Sequence, residues 1–135
     1  PRRSVAVVPV ASLNRASLIA LTYARAIADD VTAVHVATEP ESGEALQRRW
    51  REAGLTIPLV IVESPYRELL GPLVAVIEKI HREKGAPLIT VVIPEFVTAH
   101  WWERLLHTQT AWRLRRALVQ IPDLAITMVP YHLRE

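Results

Sequence analysis

Two turns of this chain carry side chains suited to holding an anion. In the string PVASLNRAS, Ser12, Asn14, Arg15 and Ser17 fall where a helix is expected to begin, and the free N–H groups and dipole of a helix start favour negative charge. Arg15 would add a charge-assisted hydrogen bond there. In the string LLHTQTAWRLRR, His107, Thr108, Gln109 and Thr110 form a second such group, able to donate to phosphate and ribose oxygens. Each turn also has a plainer reading, in which Ser, Asn and Thr only cap helices and His107 is a buried structural histidine. Glu95, directly after Pro94, either accepts from an exocyclic amine or faces water, and the paired Trp101 and Trp102 either stack a purine or pack in the core and across an interface. The segment 88–118 contains no glycine, although phosphate-cradling turns normally use glycine to let the backbone approach the ligand. Side chains must therefore do the recognising.

Other chemistries find less support in the residues. There is no G-x-S-x-G elbow, no G-x-x-x-x-G-K-[ST] loop and no paired-carboxylate constellation, so an enzyme is the weaker reading. His100, Glu103 and His107 have offsets of three and four that would share one helical face, but they match no established motif such as H-E-x-x-H, and no metal or cofactor is expected. His35, on an apolar strand, reads as a satisfied core histidine. The absence of cysteine excludes disulfides and thiolate chemistry and fits a reducing compartment. Sixteen basic against fourteen acidic residues leave a formal charge of +2, too small a field to argue for nucleic acid or an anionic membrane as partner. No apolar stretch approaches the roughly 18 residues of a membrane helix.

The elements that must position these turns follow from the apolar pattern. Strand-like runs occur at 5–10, 32–37, 57–62, 88–93 and 124–129, separated by four segments of helical period. The runs are continuous in Val, Ile and Leu, as parallel strands covered on both faces should be. The expected fold is a doubly wound α/β domain, with a five-stranded parallel sheet of order 3-2-1-4-5 and helices on both faces. In that order the first and fourth strands lie side by side, and their following loops open a crevice where such folds bind ligands. Ser12 or Asn14 is expected to cap the first helix and Ser42 the second, while Gly54 and Gly85 end the second and third. Pro72 either kinks the third helix at Gly71-Pro72 or marks its true start, which leaves Arg67 in a shaped loop on the side of the other strand-to-helix turns. The last strand needs a covered edge, which a two-fold related copy would supply. With 135 residues, 1–135 reads as one domain.

The alternation of five strands and four helices, with the His-bearing second strand AVHVA, resembles the universal stress protein fold. The family's nucleotide-binding members carry an Asp ending the first strand and a G-x-x-G-x9-G-[ST] pattern after the fourth; this chain has VASLNR and PEFVTAHWWERLLHTQT in their places. The strings VVPVASLNRA, IPLVIVESPYRELLGPL, VVIPEFVTAHWWERLLHTQTA and VPYHL look like the cytosolic C-terminal domain of APC-superfamily permeases, in particular the KimA-type potassium importers. This resemblance implies a cytosolic regulatory domain cut from a membrane transporter, and Pro1 in place of Met fits such an excised piece. It further implies a homodimer that binds the second messenger cyclic di-AMP to control transport. An ATP- or AMP-binding domain and a ligand-free dimerisation module are the alternatives. Cyclic di-AMP has two adenines and two phosphates related by a two-fold, which matches a symmetric pair of pockets. The expected ligand contacts are Ser12, Asn14, Arg15, Arg67, Glu95, His107, Thr108, Gln109 and Thr110, with Arg15 and Arg67 the first candidates for the phosphates and Arg113 behind them. Asn14 or Gln109 would read the adenine.

Overall fold

The computed structural model describes residues 3–64, 70–85, 88–94 and 124–129. In chain order the elements are β1 (Ser4–Pro9), α1 (Arg15–Ile27), β2 (Asp30–Ala37), α2 (Pro40–Glu52), β3 (Leu59–Glu63), α3 (Leu70–Lys84), β4 (Leu88–Pro94) and β5 (Leu124–Val129). They build one five-stranded sheet in the order β3-β2-β1-β4-β5, and every pairing in it is parallel. The expected order therefore stands, and β1 lies against β4 with Val5 beside Ile89 and Val7 beside Val91.

Alternate residues of the inner strands feed two separate cores, which explains why these strands read as unbroken apolar runs. Val5, Val7, Val34, Val36, Ile89, Val91 and Ile93 meet Leu73, Ile77 and Ile80 of α3 on one face. Ala6, Val8, Ala33 and Val92 meet Ala20, Leu21 and Ala24 of α1, with Leu46 and Trp50 of α2, on the other. Helices thus cover both faces. The second core rests on small residues where helix and sheet meet: Ala6, Ala20, Ala24 and Ala33 are wholly buried, so α1 comes close to the strands.

Trp50 anchors α2, donating its indole N–H to the Ile57 carbonyl at 2.8 Å. The end of α2 is closed by a left-handed Gly54 at φ 69°. The Gly54 N–H donates to Arg51 and the Leu55 N–H to Trp50, the paired bonds that satisfy the last carbonyls of a helix. Gly85, with φ 54°, stands in the same way after α3. Both glycines mark the expected stops.

β1 runs 4–9 where 5–10 was expected and β2 begins at 30 where 32 was expected; the starts of α2 and β3 also differ from expectation. Ser42 does not cap α2: the N-cap is Glu39, which makes no side-chain cap bond, and Pro40 follows it. Pro40 has a preset φ and no N–H to satisfy, so it opens the helix without a polar cap. Ser42 lies inside the first turn and donates its hydroxyl back to the Glu39 carbonyl. β3 begins at Leu59 and not at 57, because Ile57 gives its carbonyl to Trp50 and Pro58 has no N–H for a ladder. α3 runs from Leu70, with Pro72 in its first turn, in line with the second of its two expected readings; there the missing N–H breaks no helical bond.

Gly43 lets α2 approach β3. A Cβ placed there would lie 2.8 Å from Ile61 Cγ2, which requires a shift of helix or strand. Gly43→Ala should gain about 1 kcal/mol of helix propensity and lose about 1–3 kcal/mol to overpacking, for a net destabilisation in urea unfolding. Combined with Ile61→Ala, the loss should be smaller than the sum of the single losses; additive losses would show that the contact is not close.

Candidate functional site

β1 is the middle strand of the sheet and pairs with β4 on one side. Its C-terminal end runs through Val10 and Ala11 into the turn that starts α1, at the point where strand order reverses. Doubly wound folds take their ligands at this position. Ser12, Asn14 and Arg15 are placed there.

Asn14 is the N-cap of α1, and its bonds are largely internal. Its Oδ1 accepts from the Ser17 N–H at 2.9 Å, while its own N–H donates to Ser17 Oγ at 2.8 Å. These reciprocal bonds form a capping box with serine at the third helical position. Asn14 Nδ2 also donates to Ser12 Oγ at 3.1 Å. The capping role is thus present, and Asn14 Oδ1 is already engaged. Among the described residues nothing accepts from the N–H groups of Arg15 and Ala16, the two first-turn donors left open. The Arg15 side chain is exposed and, among the described residues, forms no ion pair.

The turn is braced from α2 and β2 through two carbonyls. Arg49 donates to the Leu13 carbonyl at 3.1 Å, which brings a second guanidinium beside the turn. His35 is buried and has its Nδ1 2.8 Å from the Val10 carbonyl; it is the satisfied core histidine expected. The part of Arg49 escaped sequence reasoning because α2 carries a run of surface arginines at 48, 49 and 51, and nothing in their spacing singles out the one that reaches Leu13.

Arg67, Glu95, His107, Thr108, Gln109, Thr110 and Arg113 lie outside the described residues, as do Trp101, Trp102, His100 and Glu103. The structure brings Ser12, Asn14 and Arg15 together and describes the β1 half of the crevice. A cavity of about 320 Å³ lies at the opposite end of the strands, lined in part by Arg25, Asp29, Asp30, Thr56 and Lys84. Three of its charges are engaged with the chain: Asp30 lies 3.9 Å from both Arg3 and Lys84, and Asp29 accepts from the Ser4 N–H at 3.1 Å. Among the described residues no cluster could hold a metal ion, and no helix is long and apolar enough to cross a membrane.

Fold and turn together define a doubly wound α/β domain with a polar, glycine-free turn at the switch point of its sheet. The chain matches the family model of the KimA potassium transporter C-terminal domain over residues 2–131, and it belongs to that family. It is 31% identical over 98% of its length to the potassium transporter KimA of Bacillus subtilis, of which it spans 22%. Among solved structures it is similar to the pantoate-beta-alanine ligase of Francisella tularensis, with a TM-score of 0.53 and 11% identity over 98% of this chain and 60% of that one. At that identity the likeness concerns the fold alone.

The capping box should govern local stability at this turn. Asn14→Ala is expected to cost about 1 kcal/mol, lowering the melting midpoint by roughly 3–5 °C for a domain of this size. Asn14→Asp should retain most of it. Equal losses in the two variants would show that the cap bond is not what matters.

Proposed function

We propose that this chain is the cytosolic regulatory domain of a potassium transporter, without enzymatic activity of its own. In this reading the domain is universal stress protein-like, pairs as a homodimer beside the transmembrane part of the same transporter, and binds cyclic di-AMP to control transport. The observation that carries it is the placement of the Ser12–Arg15 turn at the switch point of the sheet, in a chain of the KimA C-terminal family.

Two phosphates related by a two-fold ask for two equivalent sets of donors, which a dimer of this domain would supply. Arg15 is exposed at the start of α1 with open N–H groups beside it, and Arg49 stands next to the same turn. Each charge-assisted bond to phosphate is worth about 1.5–3 kcal/mol. Arg67, Glu95, His107, Thr108, Gln109 and Thr110 would complete the pocket from the neighbouring loops. A ligand that favours one dimer arrangement shifts the population toward it, and the attached membrane part responds.

Thermal melting with added nucleotide tests this reading. Cyclic di-AMP at a hundred times its dissociation constant should stabilise the chain by about 2.7 kcal/mol, raising the melting midpoint by several degrees, while ATP leaves it unchanged. Arg15→Ala should weaken binding by roughly tenfold or more, in line with one lost charge-assisted bond. A rise with ATP alone would favour an ATP- or AMP-binding domain, as in the ligase of similar fold, which was crystallised with beta-gamma ATP and beta-alanine. No rise with either, in a chain that sediments as a dimer, would leave a dimerisation module.

A further inference from the structure

Three hydrogen bonds around His35 do not balance for a neutral ring. The Val10 carbonyl can only accept, so His35 Nδ1, 2.8 Å away, must carry a proton. The Glu39 carbonyl can only accept as well, and the Ser42 hydroxyl donates to it at 2.9 Å. With its single proton given to Glu39, Ser42 Oγ offers only lone pairs to His35 Nε2 at 3.3 Å. All three bonds coexist when Nε2 is also protonated and the ring is a cation. For a ring neutral at Nε2, the Ser42 hydroxyl must leave Glu39 and donate to the imidazole.

From this arrangement we infer that His35 and Ser42 form a proton-operated latch between the β1–α1 turn and the start of α2. Protonation of Nε2 turns Ser42 from donor to acceptor at the ring and returns its hydroxyl to the Glu39 carbonyl, tightening the first turn of α2. Loss of the proton draws the hydroxyl back to the ring and leaves Glu39 with the Ser42 N–H alone, a bond of 3.1 Å. Because α2 opens on Pro40 without a side-chain cap, no other cap bond masks the change.

Among the described residues no charged side chain bonds to the ring. β1 has no ionisable residue, and β3 has only Glu63, two places along from Ile61, the partner of His35. Glu63 is exposed, as are Glu39 at the cap of α2, Arg15 on α1 and Arg49 on α2. Among the described residues none of these bonds to the imidazole, and Arg49 is committed to the Leu13 carbonyl. The proton therefore acts through Ser42. The latch needs no nucleotide, so it stands apart from the ligand reading.

The test follows ring-nitrogen and backbone-amide NMR signals of the whole 135-residue chain from pH 8 to pH 5. The ring of His35 is assigned by its loss in His35→Gln or, should that variant not fold, by its contacts with Val10. Expected at pH 8 is the tautomer protonated at Nδ1, followed on acidification by ring protonation with the amides of Ser42 and Gly43 moving at the same midpoint. In Ser42→Ala, the ring should still titrate while the neighbouring amides lose that step. A ring protonated at Nε2 only at pH 8, ring signals unchanged throughout, or the same amide step persisting in Ser42→Ala would each overturn the latch.

Discussion

The pairing of β1 with β4 is the constraint on which the rest depends. The ladder from Ser4 beside Leu88 to Val7 beside Val91 forces the chain, after laying β2 and β3 to one side of β1, to cross back and add β4 on the other. Right-handed crossovers then send α1 and α2 to one face and α3 to the opposite one. The two cores record this division: α1 and α2 pack over Ala6, Val8 and Ala33, and α3 packs over Val5, Val7 and Val91. In doubly wound folds generally, such a reversal is where loops leave adjacent strand ends toward opposite faces. The turn carrying Ser12, Asn14 and Arg15 occupies that point because β1 is central, not because of any property of the turn itself.

Much of this architecture could be read from residue order. Fully covered parallel strands carry few polar residues on either face, so the Val/Ile-rich runs of β1, β2 and β4 stood out. Gly54 and Gly85 announced helix ends because their left-handed backbones exclude most other residues. The start of α2 was harder, since a serine and a proline two residues apart are both start signals, and only the packed structure shows that Pro40 opens the helix while Ser42 turns back to Glu39.

The candidate site was readable to a smaller degree. Capping and anion binding call on the same residue types at the same place, and Asn14 and Ser17 show the first use directly. The second use depends on residues brought from far along the chain. Arg49 is 36 positions from Leu13 and His35 is 25 from Val10, distances over which local spacing carries no information. Family membership, and not the fold, therefore gives the functional direction, because a similar fold also serves a ligase with 11% identity.

The bracing of the turn bears on how it would meet a ligand. Loops that must be ordered on binding lose affinity to entropy, whereas a turn already fixed does not. Here the carbonyls on both flanks are held, that of Val10 by His35 and that of Leu13 by Arg49, and the capping box fixes the residues that follow. The backbone of the turn is thus set before any ligand arrives, leaving the exposed Arg15 side chain free to adjust. The same bracing ties the turn to α2 through Arg49 and Ser42. A force on the turn is consequently carried to a helix on the same face, through hydrogen bonds with donors and acceptors that can be removed one at a time.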